Sequence, residues 1–154
     1  MTETFTFVPG EILDFAIKVA LATLAGVCIG LEREYKGKNA GLKTNTLVAL
    51  GACAFVLISF SFQGEENVDL TRVLGQVVTG IGFLGAGVIL QIQDKVKGLS
   101  TAATIWCSAA AGCLAATFML VELGILTVLV VVINIVFSRI DRKIEEQVGN
   151  QKQE

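Results

Sequence analysis

The sequence predicts an all-α integral membrane protein: a bundle of five transmembrane helices with its N-terminus outside and its C-terminus in the cytoplasm. Hydrophobic residues make up 53% of the 154 residues and charged residues only 17%, which is far from the balance of a soluble domain. The apolar residues form five stretches, each long enough to cross a hydrocarbon core of roughly 30 Å at about 1.5 Å per residue. Lysine and arginine collect in alternate connections between these stretches, as they do on the cytoplasmic side of membranes.

The predicted spans cover residues 12–31, 44–62, 73–92, 100–120 and 121–137. They form a single transmembrane domain, residues 1–138, which is followed by a short charged cytoplasmic tail, residues 139–154. The first stretch is interpreted as a span and not as a secretory signal, because no basic residue precedes Lys18.

The fourth and fifth spans require a break between them. One helix over residues 100–137 would be about 57 Å long at about 1.5 Å per residue, nearly twice the hydrocarbon thickness. Glu122 favours the membrane interface and Gly124 is a residue that ends helices, so we predict a tight hairpin there.

The distribution of charge supports an odd number of spans. Ten of the twelve basic residues lie on the predicted cytoplasmic side: Arg33, Lys36, Lys38, Lys43, Lys95, Lys97, Arg139, Arg142, Lys143 and Lys152. The second connection instead carries Glu65, Glu66 and Asp69, and the fourth has only Glu122. Because basic residues accumulate in the cytoplasm, this pattern predicts a cytoplasmic C-terminus.

The third span contains four glycines that need an interpretation. Gly80, Gly82 and Gly85 match the GxGxxG pattern of a dinucleotide-binding turn, but that turn follows a strand and opens a helix. These three glycines and Gly87 lie inside an uncharged apolar stretch instead. We therefore interpret them as a helix face that permits close backbone contact.

Small residues spaced three or four apart mark helix faces that pack closely in lipid. Such faces occur in the first, third and fourth spans: Ala22, Gly26 and Gly30; Gly75, Thr79, Gly82 and Ala86; Thr104, Ser108, Gly112 and Ala116. They predict that these three spans form the centre of the bundle and that the fifth span lies against lipid. Gly80 and Gly87 lie on another face of the third span, so the glycines are compatible with internal packing and with a homodimer seam.

The densest polar cluster lies around the first connection. It consists of Glu32, Arg33 and Glu34 at the end of the first span and of Lys43, Thr44 and Asn45 at the start of the second. The helix macrodipole opposes two carboxylates at a helix C-terminus by a few tenths to about 1 kcal/mol, so the cluster requires compensation.

Two interpretations of these carboxylates are open. Glu32 can pair with Lys36 and Glu34 with Lys38, since each pair is four residues apart in the favourable order. Alternatively, Glu32 and Glu34, joined by Asn45 or Asp94 from nearby connections, offer hard oxygen ligands to a metal ion such as magnesium.

Several function classes are disfavoured by composition. The sequence has no histidine, the commonest general base and a common metal ligand, and its four cysteines lie in apolar runs without a CxxC pair. A net charge of -2 provides no basic field for nucleic acid. We expect no enzyme activity and no cofactor other than magnesium, and we expect membrane lipid, a second copy and other membrane proteins as partners.

Three ordered blocks of sequence carry a family resemblance. The first contains Gly30-Leu-Glu-Arg-Glu34, Ala40-Gly-Leu-Lys-Thr-Asn45 and Leu47-Val-Ala-Leu-Gly51; the others are Gly80-Ile-Gly-Phe-Leu-Gly-Ala-Gly-Val-Ile-Leu90 and Val96-Lys-Gly-Leu-Ser-Thr-Ala-Ala-Thr-Ile-Trp106. From about residue 14 to residue 120 the chain resembles the MgtC/SapB family of bacterial inner-membrane proteins. Lys43 stands where the family usually has arginine, and Ser100 where threonine is common.

The resemblance implies a multi-pass protein of the bacterial inner membrane that is linked to magnesium limitation and, in pathogens, to survival inside host cells. Well-known members of this family resemble regulators of other membrane proteins, including the proton-translocating ATP synthase and cation uptake systems, and magnesium transport has also been proposed for the family. Longer members carry a soluble C-terminal domain, and roles that need that domain are not implied for this sequence.

Two functional hypotheses follow. The first is a non-enzymatic, dimeric inner-membrane protein that aids adaptation to low magnesium by helix contacts with partner membrane proteins. The alternative is a cation transporter or channel with Glu32, Glu34, Asn45 and Asp94 at its cytoplasmic mouth. The central third of each predicted span has no charged residue, which favours the first hypothesis, since a magnesium path needs a polar lining.

Overall fold

The computed structural model describes residues 9–64, 69, 71–93 and 95–151. Its elements are α1 (Pro9–Tyr35), α2 (Leu42–Phe60), α3 (Thr71–Val88), β1 (Leu90–Ile92), β2 (Lys95–Lys97), α4 (Leu99–Ala116) and α5 (Leu120–Gln151). In this part of the chain, five helices are long and apolar enough to cross a membrane. The predicted all-helical class with five membrane-length helices is therefore confirmed.

The third helix is shorter than the predicted span 73–92. It ends at Val88, and the chain then forms an antiparallel hairpin in which Leu90 pairs with Lys97 and Ile92 with Lys95. Gly98 follows with a φ of 95°, and a Cβ at this position would meet the carbonyl of Val88. Only glycine fits this left-handed, crowded position, so Gly98 brings the start of α4 back against the end of α3.

The break between α4 and α5 lies before the two residues that were predicted to form it. The amide of Met119 donates to the carbonyl of Leu114 at 3.0 Å, and Phe118 donates to Ala115 at 3.1 Å, which is a Schellman motif. Phe118 occupies the left-handed position with a φ of 59°. Glu122 and Gly124 instead lie inside the first turns of α5, where a carboxylate is favoured by the positive end of the helix dipole.

The centre of the bundle consists of α1, α2 and α4, which pack against one another. Their buried residues include Ala22 and Ile29 on α1, Cys53 and Val56 on α2, and Ala111 on α4. The helix α5 adds Leu123 and Val130 to this core, and most of its other side chains up to residue 140 are exposed. The prediction of a central third span is wrong, because α3 packs mainly on α4 and buries only Gly85, and α2 takes the central place.

The glycines of the sequence fall into two groups. A Cβ on Gly26 would lie 2.7 Å from Thr46 Cα, one on Gly30 would lie 2.7 Å from Leu42 Cα, and one on Gly112 would strike the carbonyl of Ala49. These three glycines therefore permit backbone contact of α1 and α4 with α2.

The glycines of α3 have no such role inside the described bundle. A Cβ on Gly80, Gly82 or Gly87 would have no described neighbour within 4 Å, and one on Gly85 would make an ordinary 3.6 Å contact with Ala102. The internal packing expected for this stripe is absent from the described residues, because α3 lies at the edge of the bundle. Its use as a dimer seam stays a prediction.

The start of α3 is fixed by Asp69. The Asp69 carboxylate accepts hydrogen bonds from the Thr71 hydroxyl at 2.7 Å and from the Thr71 amide at 2.9 Å. These two bonds lower the pKa of Asp69, because they stabilise its charged form. The exposed carboxylate thus caps the first turn of α3.

Candidate functional site

Buried polar side chains are concentrated at one end of the bundle, which we call the basic end. Here α1 ends, α2 and α4 begin, and α5 passes alongside. Five of the side chains there are almost completely shielded: Arg33, Asn45, Thr101, Thr104 and Ser108. Each buried polar group in an apolar bundle must find a partner, so the contacts among them define the site.

Asn45 has no exposed surface and joins three parts of the chain. Its Nδ2 donates to the carbonyls of Ala40 at 3.0 Å and Gly41 at 2.8 Å, and its Oδ1 accepts from Ser108 Oγ at 2.8 Å. The side chain therefore ties the first connection to α2 and ties α2 to α4. Both of its donors and its acceptor are engaged, so Asn45 acts here as a structural residue and not as a free ligand for a cation.

We expect Asn45→Asp to destabilise the protein by about 3 kcal/mol, because a carboxylate cannot donate and would face two buried carbonyl oxygens. Ser108→Ala removes one hydrogen bond and should cost only about 0.6 kcal/mol. Thermal unfolding of the detergent-solubilised variants measures both effects. Equal losses of stability in the two variants would contradict the role of the Asn45 amide as a double donor.

Arg33 is 1% exposed and connects α1 to α4. Its Nη2 donates to Thr101 Oγ1 at 2.9 Å, and its charge interacts with that of Glu32. Its Nε has no partner among the described residues. A buried guanidinium needs compensating groups nearby, and the charge of Glu32 favours the charged form of Arg33, although the two side chains form no direct ion pair.

Lys36 and Asn134 complete the network at α5. Lys36 Nζ donates to the carbonyl of Asn134 at 2.7 Å and lies 2.6 Å from Glu32 Oε1. Asn134 Nδ2 reaches Thr104 Oγ1 on α4 at 3.4 Å, a long hydrogen bond. Four helices, α1, α2, α4 and α5, are thus connected by polar side chains at the basic end.

Glu32 is the least satisfied member of this network. Its side chain is 8% exposed, and its Oε1 lies 2.6 Å from Lys36 Nζ, a charge-assisted contact that the three-donor ammonium can make together with its bond to Asn134. Its Oε2 has no hydrogen-bond partner in the described part of the chain. A buried carboxylate with free acceptor capacity is the group at this end that could bind a proton or a cation.

The two carboxylates of the sequence cluster have different surroundings. The predicted pair of Glu32 with Lys36 is present, whereas Glu34 accepts a hydrogen bond from the amide of Leu42 at 3.0 Å and forms no ion pair with Lys38 within the described residues. Glu34 therefore caps the start of α2 across the connection.

The predicted metal ligands are not assembled by the described residues. Glu32 and Glu34 have separate partners, and no group of three acidic, cysteine or histidine side chains in the described ranges could hold a metal ion. Asp94 lies outside the described residues. A magnesium site made of Glu32, Glu34 and Asp94 therefore stays a prediction.

Lys43 and Thr44 do not join the buried network. They lie at one end of an apolar groove of about 670 Å³ between α2 and α3. Sequence reasoning thus placed in one cluster residues that belong to two features: a buried network and a groove. It did not assign Thr101, Ser108 or Asn134 to the site, although an uncharged polar side chain within an apolar span signals a need for a partner.

The comparison with known proteins gives a consistent result. The model of the MgtC family matches residues 19–143. The MgtC protein of Brucella abortus is 43% identical over 129 residues, which are 84% of this chain and 53% of that protein. The MgtC protein of Salmonella typhimurium is 38% identical over 132 residues, or 86% of this chain and 56% of the relative.

An uncharacterised protein of Synechocystis sp. is 41% identical over 131 residues, which cover 85% of this chain and 55% of that protein. The chain therefore spans about half the length of the curated relatives it matches. No solved structure matches it.

Proposed function

The chain belongs to the MgtC family, which implies a role in magnesium homeostasis, and we propose that it acts there as a non-enzymatic regulator of other membrane proteins. It would reside in the bacterial inner membrane and act through helix contacts within the bilayer. The five membrane-length helices support a multi-pass protein. The concentration of basic residues at the basic end supports a cytoplasmic location of that end and an outer N-terminus.

The observation that carries this proposal is the nature of the bundle interior. Beyond the buried network at the basic end, the core of the three central helices is made mainly of small apolar side chains, among them Ala25, Cys53 and Ala111. In the described residues the charged groups of α1, α2 and α4 lie near helix ends, except Lys18, which lies about a third of the way along α1 and forms an ion pair with Asp14. The described part of a single copy therefore has no continuous polar lining of the kind that conduction of a hydrated cation requires, whereas a regulator needs none.

The outer surface supports contact with partners. The helix α3 lies at the edge of the bundle, and Gly82 and Gly87, which do not line the groove between α2 and α3, leave open space on it. In a membrane, such small-residue surfaces allow another helix to approach closely. We propose this surface for contact with a second copy or with a regulated membrane protein.

Cation transport is the alternative function, and it is favoured by the unsatisfied carboxylate of Glu32. In that case Glu32 would form part of a cytoplasmic mouth, and Asp94 would be a further candidate ligand. The two functions differ in whether this chain alone moves magnesium.

We expect liposomes that contain only this chain to take up magnesium no faster than empty liposomes. The same chain should restore growth at limiting magnesium in a bacterium that lacks its own family member. Growth and the uptake of magnesium, reported by an entrapped fluorescent indicator, are the measurements.

Glu32→Gln tests whether the buried carboxylate contributes to any uptake, and Glu34→Gln, the same substitution at an exposed residue, is its control. The regulator proposal would be overturned if the wild-type chain takes up magnesium, Glu32→Gln abolishes this uptake and Glu34→Gln preserves it. Both variants must unfold at the wild-type temperature for this comparison.

A further inference from the structure

The groove between α2 and α3 has a defined length and composition. Apart from Gln76 and the two residues at its mouth, Lys43 and Thr44, its walls are apolar. Lys43 and Phe55 mark its two ends on α2, and they are separated by about 18 Å at about 1.5 Å per helical residue. One leaflet of a bilayer is about 15 Å thick, half of the roughly 30 Å hydrocarbon core. The groove thus matches the length of an acyl chain from one leaflet.

The groove also has room for an occupant. A Cβ on Gly51 or on Gly80, which face the groove from opposite walls, would have no described atom within 4 Å. Leu47, Phe55 and Leu84 each expose about half of their surface. The volume of about 670 Å³ lies within the range of about 300–1,000 Å³ that is typical of small-molecule sites.

The mouth of the groove carries a positive charge, that of Lys43. Lys43 is exposed and forms no ion pair with the described residues, whereas Lys18 and Lys36 are paired with Asp14 and Glu32. Glu34 already occupies the amide of Leu42, so the attraction for an anion comes from the Lys43 ammonium and not from the start of the helix. Thr44 adds a hydroxyl beside it.

We propose that this groove binds an anionic phospholipid from the leaflet at the basic end, with one acyl chain along α2 and α3 and the headgroup phosphate at Lys43. An ammonium at the membrane surface attracts an anionic headgroup, and the apolar walls accept the chain. The site is separate from the buried network, because Lys43 and Thr44 have no hydrogen bond to it among the described residues.

Gln76 provides a way to distinguish a lipid in the groove from a helix of another protein. It lies on the groove wall near the end remote from Lys43, and it has no hydrogen bond within the described ranges. The Gln76 amide could form a hydrogen bond with a second helix, whereas an acyl chain has no hydrogen-bonding group. Lipid binding should therefore tolerate Gln76→Leu.

Native mass spectrometry of the full chain, reconstituted with phosphatidylglycerol or phosphatidylcholine and released into detergent, tests the proposal. We expect one phosphatidylglycerol to be retained in preference to phosphatidylcholine. Gly51→Leu and Gly80→Leu, which fill the groove, should each lower retention about tenfold or more. Lys43→Gln should lower the affinity for phosphatidylglycerol about fivefold and bring it close to that for phosphatidylcholine.

Matched changes away from the groove control for added bulk and lost charge. Gly124→Leu, on the lipid-facing α5, and Lys38→Gln, in the first connection, should leave retention unchanged. Equal retention of the two lipids by the wild-type chain, or unaltered retention in both groove-filling variants, would overturn the proposal. A third result would also overturn it: Gln76→Leu loses self-association, and the wild-type and variant chains retain equal amounts of lipid without preference for phosphatidylglycerol. That result would show that a second copy of the chain occupies the groove.

Discussion

Gly112→Ala is expected to destabilise the bundle by about 3 kcal/mol or more, because the added methyl group has no space between α4 and α2. Its Cβ would strike the carbonyl oxygen of Ala49 and lie 2.9 Å from the carbonyl carbon and 3.0 Å from Ala52 Cβ. The main obstacle is backbone, so α2 and α4 must move apart as units. Ser108, one turn before Gly112 on the same face, would then lose its 2.8 Å bond to Asn45.

The measurements are the thermal unfolding temperature in detergent and the monodisperse fraction in size-exclusion chromatography. Gly82→Ala is the matched control, since its new Cβ would meet no described atom within 4 Å. Alanine is a better helix former than glycine by about 1 kcal/mol, so this variant should be as stable as the wild type or slightly more stable. Wild-type stability of Gly112→Ala would contradict the close contact of α2 with α4.

These two glycines also show where prediction from sequence ends. The five spans could be predicted, because a chain in hydrocarbon must satisfy its backbone hydrogen bonds within each helix, which gives a clear length and composition. Gly82 and Gly112 have the same local signature of small residues three or four apart. Only the partner helix distinguishes an internal contact from an open surface, and the sequence of one helix does not contain that partner.

The ends of the helices were less predictable for a different reason. Phe118 adopts a left-handed conformation with a φ of 59°, although glycine is the usual residue at such a position. Residue type therefore favoured the nearby Gly124 as the break between α4 and α5, but the structure places Gly124 inside α5. Similarly, residues 90–92 continue the apolar run of α3, and hydrophobicity alone does not separate them from the helix.

The candidate site was predictable where it is local. The pair of Glu32 with Lys36 follows from a spacing of four residues on one helix. The bonds of Arg33 to Thr101 and of Asn45 to Ser108 join residues 68 and 63 positions apart, and no local pattern specifies them. These long-range bonds connect α1 and α2 to α4 at the basic end.

Arg33→Met is expected to destabilise the protein by about 3 kcal/mol, because it removes a hydrogen bond made by a charged group and leaves the buried Thr101 hydroxyl without this partner. Methionine fills much of the same space, so the loss reports charge and hydrogen bonding more than volume. The change removes the 2.9 Å bond to Thr101 and leaves the buried Glu32 carboxylate with Lys36 as its only described cationic contact. The free energy of unfolding in a denaturing detergent titration is the measurement.

A double-mutant cycle with Glu32→Gln tests the physical reason. If Arg33 compensates the charge of Glu32, then Glu32→Gln should recover part of the stability lost in Arg33→Met, with a coupling of about 0.5–3 kcal/mol. Arg33→Met combined with Lys38→Gln is the control, because Lys38 is exposed, and its effects should add. Simple additivity of Arg33→Met and Glu32→Gln would show instead that Arg33 stabilises the bundle through Thr101 and packing alone, independently of the Glu32 carboxylate.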